Sequence, residues 1–190
     1  MGYIDDLREH EYVFQKMKSG LYVVKMIANE LIDCFDKKDG KALIFGNGGS
    51  AAQAQHFAAE LVGKYTRQRN CLPAISITTD TSILTATGND YGFDHVFEYQ
   101  IEAFGRKGDV AIGLSTSGNS DNVVRAFEMA RRKDMRTIGL TGEGGGKVKR
   151  YVDILAEVPS TDTPRIQEAH IFLIHEICGD VEEYYVTKKT

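Results

Sequence analysis

Residues 41–64 read K-A-L-I-F-G-N-G-G-S-A-A-Q-A-Q-H-F-A-A-E-L-V-G-K, and their order decides the fold. Lys41–Phe45 is a short apolar run of strand length, and Gly46, Asn47, Gly48 and Gly49 make a turn. From Ser50 the apolar residues Ala54, Phe57, Ala58, Leu61 and Val62 recur at helical spacing as far as Lys64. The same grammar of strand, turn and helix returns downstream. Ala74–Thr79 reads as a strand before helical segments, and Val110–Leu114 as a strand before a helix from Asn119 to Lys133. Thr137–Thr141 precedes a glycine-rich turn and a short helix, and Ile154–Val158 precedes a last helix over Thr163–Tyr185. Upstream, residues 3–18 form a polar helix with little apolar surface. From Leu21, the residues Leu21, Val24, Ala28, Leu31, Ile32 and Phe35 mark an amphipathic helix that ends near Lys38–Gly40. Short apolar strands alternating with helices predict an α/β fold, a doubly wound parallel sheet in a flavodoxin-like three-layer sandwich. One domain is expected over residues 1–190, with N-terminal helices at 1–38 and the α/β core at 39–190.

Composition narrows the function classes. The 190 residues carry 23 Lys plus Arg against 27 Asp plus Glu, a net charge of -4, so no basic footprint for nucleic acid or an anionic membrane is present. Any anion must be held locally. Cys34, Cys71 and Cys178 are odd in number and far apart, which points to neither a disulfide framework nor a zinc–thiolate site. Asp5, Asp6, Arg8 and Glu9 stand where a signal peptide needs an apolar run, and no stretch of about 20 apolar residues occurs. A cytoplasmic location is the expectation. The unusual feature is 19 glycines against three prolines, gathered at 46–49, at 113 and 118, and at 139–146. In doubly wound folds ligands bind beyond the carboxyl ends of the strands, where these clusters fall.

Ser115, Thr116, Ser117, Gly118, Asn119 and Ser120 follow a predicted strand and open a helix. Helix capping accounts for a single serine there, but four hydroxyls in six residues at a helix N-terminus suit a phosphate monoester. Gly46-x-Gly48-x-x-Ala51 formally satisfies a dinucleotide fingerprint. That fingerprint wants an acidic residue about 20 positions on, whereas Asp80 comes 34 after Gly46. Gly142–Lys147 lacks the glycine spacing and the hydroxyl residue of a Walker A loop. Nucleotide binding is therefore not favoured.

Together, G-N-G-G-S-A-A at 46–52, H-F-A-A-E-L at 56–61, G-N-D at 88–90, S-T-S-G-N-S at 115–120 and R-I-Q-E-A-H at 165–170 resemble the sugar isomerase (SIS) domain. Within it the pattern is similar to the phosphoheptose isomerase family, over essentially the whole chain. The resemblance implies an aldose–ketose isomerase that converts sedoheptulose 7-phosphate to D-glycero-D-manno-heptose 7-phosphate, feeding heptose into lipopolysaccharide or other surface glycans. It further implies a homotetramer and one zinc ion per subunit. Position by position, it assigns the sugar site to Asn47, Gly48, Gly49 and Ser50, with Asn89 and Asp90 as further contacts, and the phosphate to Ser115, Thr116, Ser117 and Ser120. The implied metal ligands are His56, Glu60, Gln167 and His175, with Gln167 also facing substrate. Some members carry an aspartate just before the Arg-Ile-Gln run, where this chain has Pro164; Asp162 is the nearby substitute.

Aldose–ketose interconversion passes through an enediol and needs a base near two carbons and an acid serving two oxygens. Glu60 and His175 are the expected base and acid, both also in contact with the ion or substrate. His56 and Glu60, four apart, share one helix face. Gln167 and His175 are eight apart, a rise of about 12 Å on a regular helix. A site completed across a subunit interface is therefore expected, with an irregular helix start as the competing explanation. His10 and His95 read as surface or loop residues and His170 as a support of the last helix. Lys64, Arg67 and Arg69 read as a solvated positive patch, with steering of an anionic sugar phosphate as the alternative. The competing class is a non-catalytic SIS regulator that binds a replication initiator or senses phosphosugars; retention of Glu60 and His175 argues for the enzyme. A second competitor is isomerisation of another phosphosugar, since a hydroxyl loop reads phosphate and not chain length.

Overall fold

A computed structural model describes residues 2–188. Its sheet contains β1 (Ala42–Gly46), β2 (Ala74–Ser76), β3 (Val110–Ser115), β4 (Arg136–Thr141) and β5 (Ile154–Glu157). All four pairings are parallel, in the order β2-β1-β3-β4-β5. The helices are α1 (Tyr3–Met17), α2 (Tyr22–Lys37), α3 (Gly49–Val62), α4 (Thr81–Tyr91), α5 (Glu98–Phe104), α6 (Asp121–Arg132) and α7 (Thr163–Thr187). None of the described helices is long and apolar enough to cross a membrane.

Side-chain alternation along each strand builds two cores. Ala42, Ile44, Val110, Ile112, Leu114, Ile138 and Leu140 pack with α1, α2, α3 and α7. Leu43, Phe45 and Ala111 pack on the other face with Phe97, Ile101, Val123 and Phe127 of the α5–α6 side. Gly113 is required in β3 because an added Cβ would lie 2.6 Å from the Phe127 ring and 2.8 Å from Phe45. The strand order reverses between β1 and β3, and that reversal opens the crevice in which doubly wound folds bind ligands.

Several boundaries differ from the sequence reading. The second strand stops at Ser76 because it is an edge strand: Ile77 N–H makes the last bond to Ile44 O, and the Thr79 hydroxyl then turns back to Ser76 O. The short helix after the glycine-rich turn is a single 3₁₀ turn, Val148–Arg150. The first helix is not poor in apolar surface. Val13 and Met17 are buried, Phe14 meets Phe172 edge-on at 5.4 Å, and Tyr3, Ile4, Leu7 and Tyr12 stand exposed.

Candidate active site

Asn47–Ser50 leave β1 and open α3, with Gly48 in the left-handed region at φ 54° as the N-cap. Ser50 N–H and Ala51 N–H both donate to Asn47 O, closing the turn. An added Cβ at Gly49 would fall 2.5 Å from the Gln167 amide and displace that side chain. Across the crevice, Ser115–Ser120 link β3 to α6, whose first turn leaves backbone N–H groups without intrahelical acceptors. Ser115 is buried and its hydroxyl lies 3.0 Å from that of Ser120, while Ser117 Oγ accepts from Asn119 N–H. Thr116 is half-buried, and its carbonyl accepts from Gly142 N–H.

The third glycine cluster follows β4 and packs against the hydroxyl turn. Gly118 adopts φ 63°, and an added Cβ would strike the Gly145 carbonyl; a Cβ on Gly146 would lie 2.6 Å from the carbonyl oxygens of Ser117 and Gly118. Val148 N–H donates to Gly118 O, Lys147 N–H to Asn119 Oδ1, and Lys147 Nζ pairs with Asp121 at 2.8 Å. That pair holds the Asp121 carboxyl below its ordinary value, through the lysine hydrogen bond first. It offsets the one acidic charge in the first turn of α6.

The two turns are tied by a pair of amides. Asn47 Nδ2 donates to Asn122 Oδ1 at 2.9 Å and Asn122 Nδ2 returns a bond to Asn47 Oδ1 at 3.0 Å, with Asn122 buried. Asn122 escaped the sequence reading, since its partner Asn47 lies 75 residues away.

Two turns along α3 lies the second cluster. His56 Nε2 sits 3.0 Å from His175 Nε2, 119 residues away, and 3.4 Å from Glu60 Oε1. One ligand atom from each of the three lies within 4.8 Å of the others. The donor set of two imidazoles and a carboxylate is one that zinc takes, and ligands about 2.0–2.1 Å from a tetrahedral ion stand about 3.3 Å apart. The observed spacings therefore fit the implied metal. Gln167 stands apart, with its side chain over Gly49 and its carbonyl accepting from Gln53 Nε2 at 2.7 Å. Because α7 is uninterrupted from Thr163 to Thr187, no irregular start carries Gln167 toward His175. One chain thus brings together three of the four expected ligands. Gln53 Oε1 is buried beside this row without a hydrogen-bond partner.

Behind the cluster, Arg69 is no part of a solvated patch: its side chain is 1% exposed. It donates through Nη2 to the Glu60 carbonyl at 2.6 Å and through Nη1 to Asn70 O at 2.8 Å. Glu182, equally buried, accepts from the N–H groups of Tyr65, Thr66 and Arg67 and from the Thr66 hydroxyl, at 2.7–2.8 Å. Burial pushes its carboxyl up, but these bonds override that effect and leave it below its ordinary value. Arg67 pairs with exposed Glu183, and Lys64 is exposed. Sequence reasoning missed Tyr65 and Glu182, although Glu182 follows His175 by seven, a spacing that shares a helix face.

Asn89 and Asp90 are exposed on the last turn of α4, where Asn89 Nδ2 donates to Asp90 Oδ1 at 2.8 Å. No bond in the described residues joins them to either turn. Asp162 is exposed and its side chain caps no N–H, and Pro164 occupies the first turn of α7, where a missing N–H costs nothing. His170 is fully buried and donates through Nε2–H to Thr141 O; burial lowers its pKa to about 4. His10 and His95 are half-buried in helices, each 2.8 Å from a carboxylate, Glu168 and Glu98.

A family model described as the SIS domain matches residues 18–142. A phosphoheptose isomerase of Trichlorobacter lovleyi is 52% identical over 93% of this chain and 90% of its own length. One from Aliarcobacter butzleri is 55% identical over 90% of this chain and 88% of its own. The solved structure of phosphoheptose isomerase GmhA from Neisseria gonorrhoeae superposes with a TM-score of 0.89 at 47% identity, covering 95% of this chain and 96% of that one.

Proposed function

The chain belongs to the SIS-domain family and, within it, to the phosphoheptose isomerases, and on that premise we propose how its residues carry the reaction. It is a phosphosugar isomerase. The substrate is sedoheptulose 7-phosphate, the product D-glycero-D-manno-heptose 7-phosphate, and the heptose supplies lipopolysaccharide or another surface glycan. The convergence of His56, Glu60 and His175 from two helices, on the helix that the glycine turn opens, carries this reading.

Ser115, Thr116, Ser117 and Ser120 bind the phosphate with the first N–H groups of α6, a positive dipole end needing no basic side chain. Asn47, Gly48, Gly49, Ser50 and Gln167 line the carbon chain, with Asn89 and Asp90 contributing from α4. Glu60 takes a proton from C1 of the ketose while His175 delivers one to the C2 oxygen, which gives the enediol. The O1 proton then leaves and the carbon proton returns at C2, so the aldehyde forms at C1 with no net change in protons. His56, Glu60 and His175 would hold a zinc ion, which would supply Lewis acidity or hydroxyl positioning. Metal and proton compete for Glu60 and His175, so we read the ion as modulatory. Turnover persists after chelation on that reading; loss on chelation with recovery on added zinc overturns it.

The deciding assay is turnover of sedoheptulose 7-phosphate by the purified protein. Glu60→Gln and His175→Gln each lower kcat by about 10²–10⁴-fold while the protein stays folded. Retention of turnover in either variant rejects the assigned roles. The regulator class is not favoured, since relatives at about half identity are named isomerases.

A cytoplasmic homotetramer with sites completed between subunits is the quaternary proposal. It is supported by the position of Gln167, which leaves the expected ligand set one short in a single chain. Mixing inactive Glu60→Gln subunits with Gln167→Ala subunits restores activity if Gln167 completes a neighbour's site, and restores none if each chain holds a complete site.

A further inference from the structure

Tyr65 lies outside every role assigned above, yet its ring stacks on His175, with centroids 5.5 Å apart and planes 29° from parallel. His175 also meets His56 edge-on, at 5.1 Å and 60°. The imidazole therefore contacts two rings, one of them on a segment that belongs to no helix or strand. A segment of that kind needs an external hold to keep a ring in place. Glu182 supplies it, binding the consecutive N–H groups of Tyr65, Thr66 and Arg67. Arg69, 3.9 Å from Glu182, carries the same anchor to the Glu60 carbonyl. A buried ion pair of this kind is a poor way to gain stability, because apolar residues of similar volume usually do as well. What it supplies here is geometry at both members of the proposed acid–base pair.

We propose that Glu182 is a positioning residue of the active site, acting on His175 through the Tyr65 ring and on Glu60 through Arg69. The proposal rests on the acid–base reading given above and names what holds that pair in register. Positioning of this order matters, since a displacement of about 1 Å can cost about 100-fold in rate. The phosphate-binding hydroxyls lie on another loop and are untouched, so the effect falls on kcat and spares KM.

The test uses the full-length chain, with sedoheptulose 7-phosphate as substrate and proton NMR of the His175 ring as a readout independent of turnover. Tyr65→Leu lowers kcat about tenfold or more, leaves KM within about twofold, and moves the His175 C–H resonances downfield as the ring current is lost. Tyr65→Phe keeps the ring and restores both readouts. Glu182→Gln reproduces Tyr65→Leu; should it fail to fold, the Tyr65 pair decides alone. Native kcat and unmoved resonances in Tyr65→Leu overturn the proposal, as does a Tyr65→Phe variant as impaired as Tyr65→Leu. Glu60→Gln, run alongside, separates the two claims: its retention of turnover rejects the acid–base reading, while the His175 resonances still judge the positioning.

Discussion

The hydroxyl turn at Ser115–Ser120 and the cluster of His56, Glu60 and His175 are built by opposite means. The turn is backbone resting on backbone: Gly118 and Gly146 touch carbonyls of the facing loop, and no side chain can be inserted between them. The cluster is side chains held by two packed helices and a buried carboxylate, with its main partners 119 residues apart. One region tolerates no added atom, and the other tolerates change wherever the three groups still meet. Identical substitutions should therefore have opposite signs in the two places.

Gly118→Ala is the harshest way to break that contrast. It places a Cβ against the Gly145 carbonyl at φ 63° and costs about 3–4 kcal/mol, read as a fall in the urea midpoint at unchanged m. A variant of native stability would show that the turn is not close-packed. His170 joins the regions, running from α7 to the end of β4, and makes stability depend on pH. Its folded pKa is lowered to about 4 from 6.5, so its contribution is complete above pH 6.5 and is lost as pH falls toward 4. That shift corresponds to about 3 kcal/mol, and His170→Gln should flatten the stability profile across this window.

Asn122→Ala removes one half of the amide pair between the two turns and leaves the Asn47 amide without its partner. About 2 kcal/mol of stability is lost and KM for the phosphosugar rises, while kcat changes less. An unchanged KM would mean that the turns keep their spacing without the pair. The mildest case is Gly179→Ala on α7. An added Cβ there meets Tyr65 at 3.6 Å, an ordinary contact, so the helix gains about 0.5–1 kcal/mol and activity is kept. Destabilisation at Gly179 as large as at Gly118 would erase the distinction between the two regions.

The same distinction explains how much could be read before any coordinates. The sheet, its order of elements and the hydroxyl turn follow from local signals: apolar runs of strand length, glycine turns and a helix start rich in hydroxyls. Arg69 was misread because charge near charge in sequence looks solvated, whereas here the chain folds Arg69 under α3 onto a glutamate 113 positions away. The packing of the third glycine cluster on the hydroxyl turn was not legible for a related reason. Period and composition say that a glycine is needed, but not which neighbour presses on it. Residues such as Asn122, Tyr65 and Glu182 matter through partners distant in sequence, and their spacing alone does not disclose those partners.

The order in which the chain emerges gives the long last helix a further meaning. By Glu157 every strand of the sheet has been made, yet α3 still lacks the helix that covers it. Ala58 and Leu61 are then uncovered, and His56 and Glu60 wait for His175. At about 5–20 residues per second the remaining helix takes a few seconds to synthesise. During that interval the nascent chain holds a finished phosphate turn with no chemistry beside it, and its exposed apolar face is what a chaperone or a protease would meet.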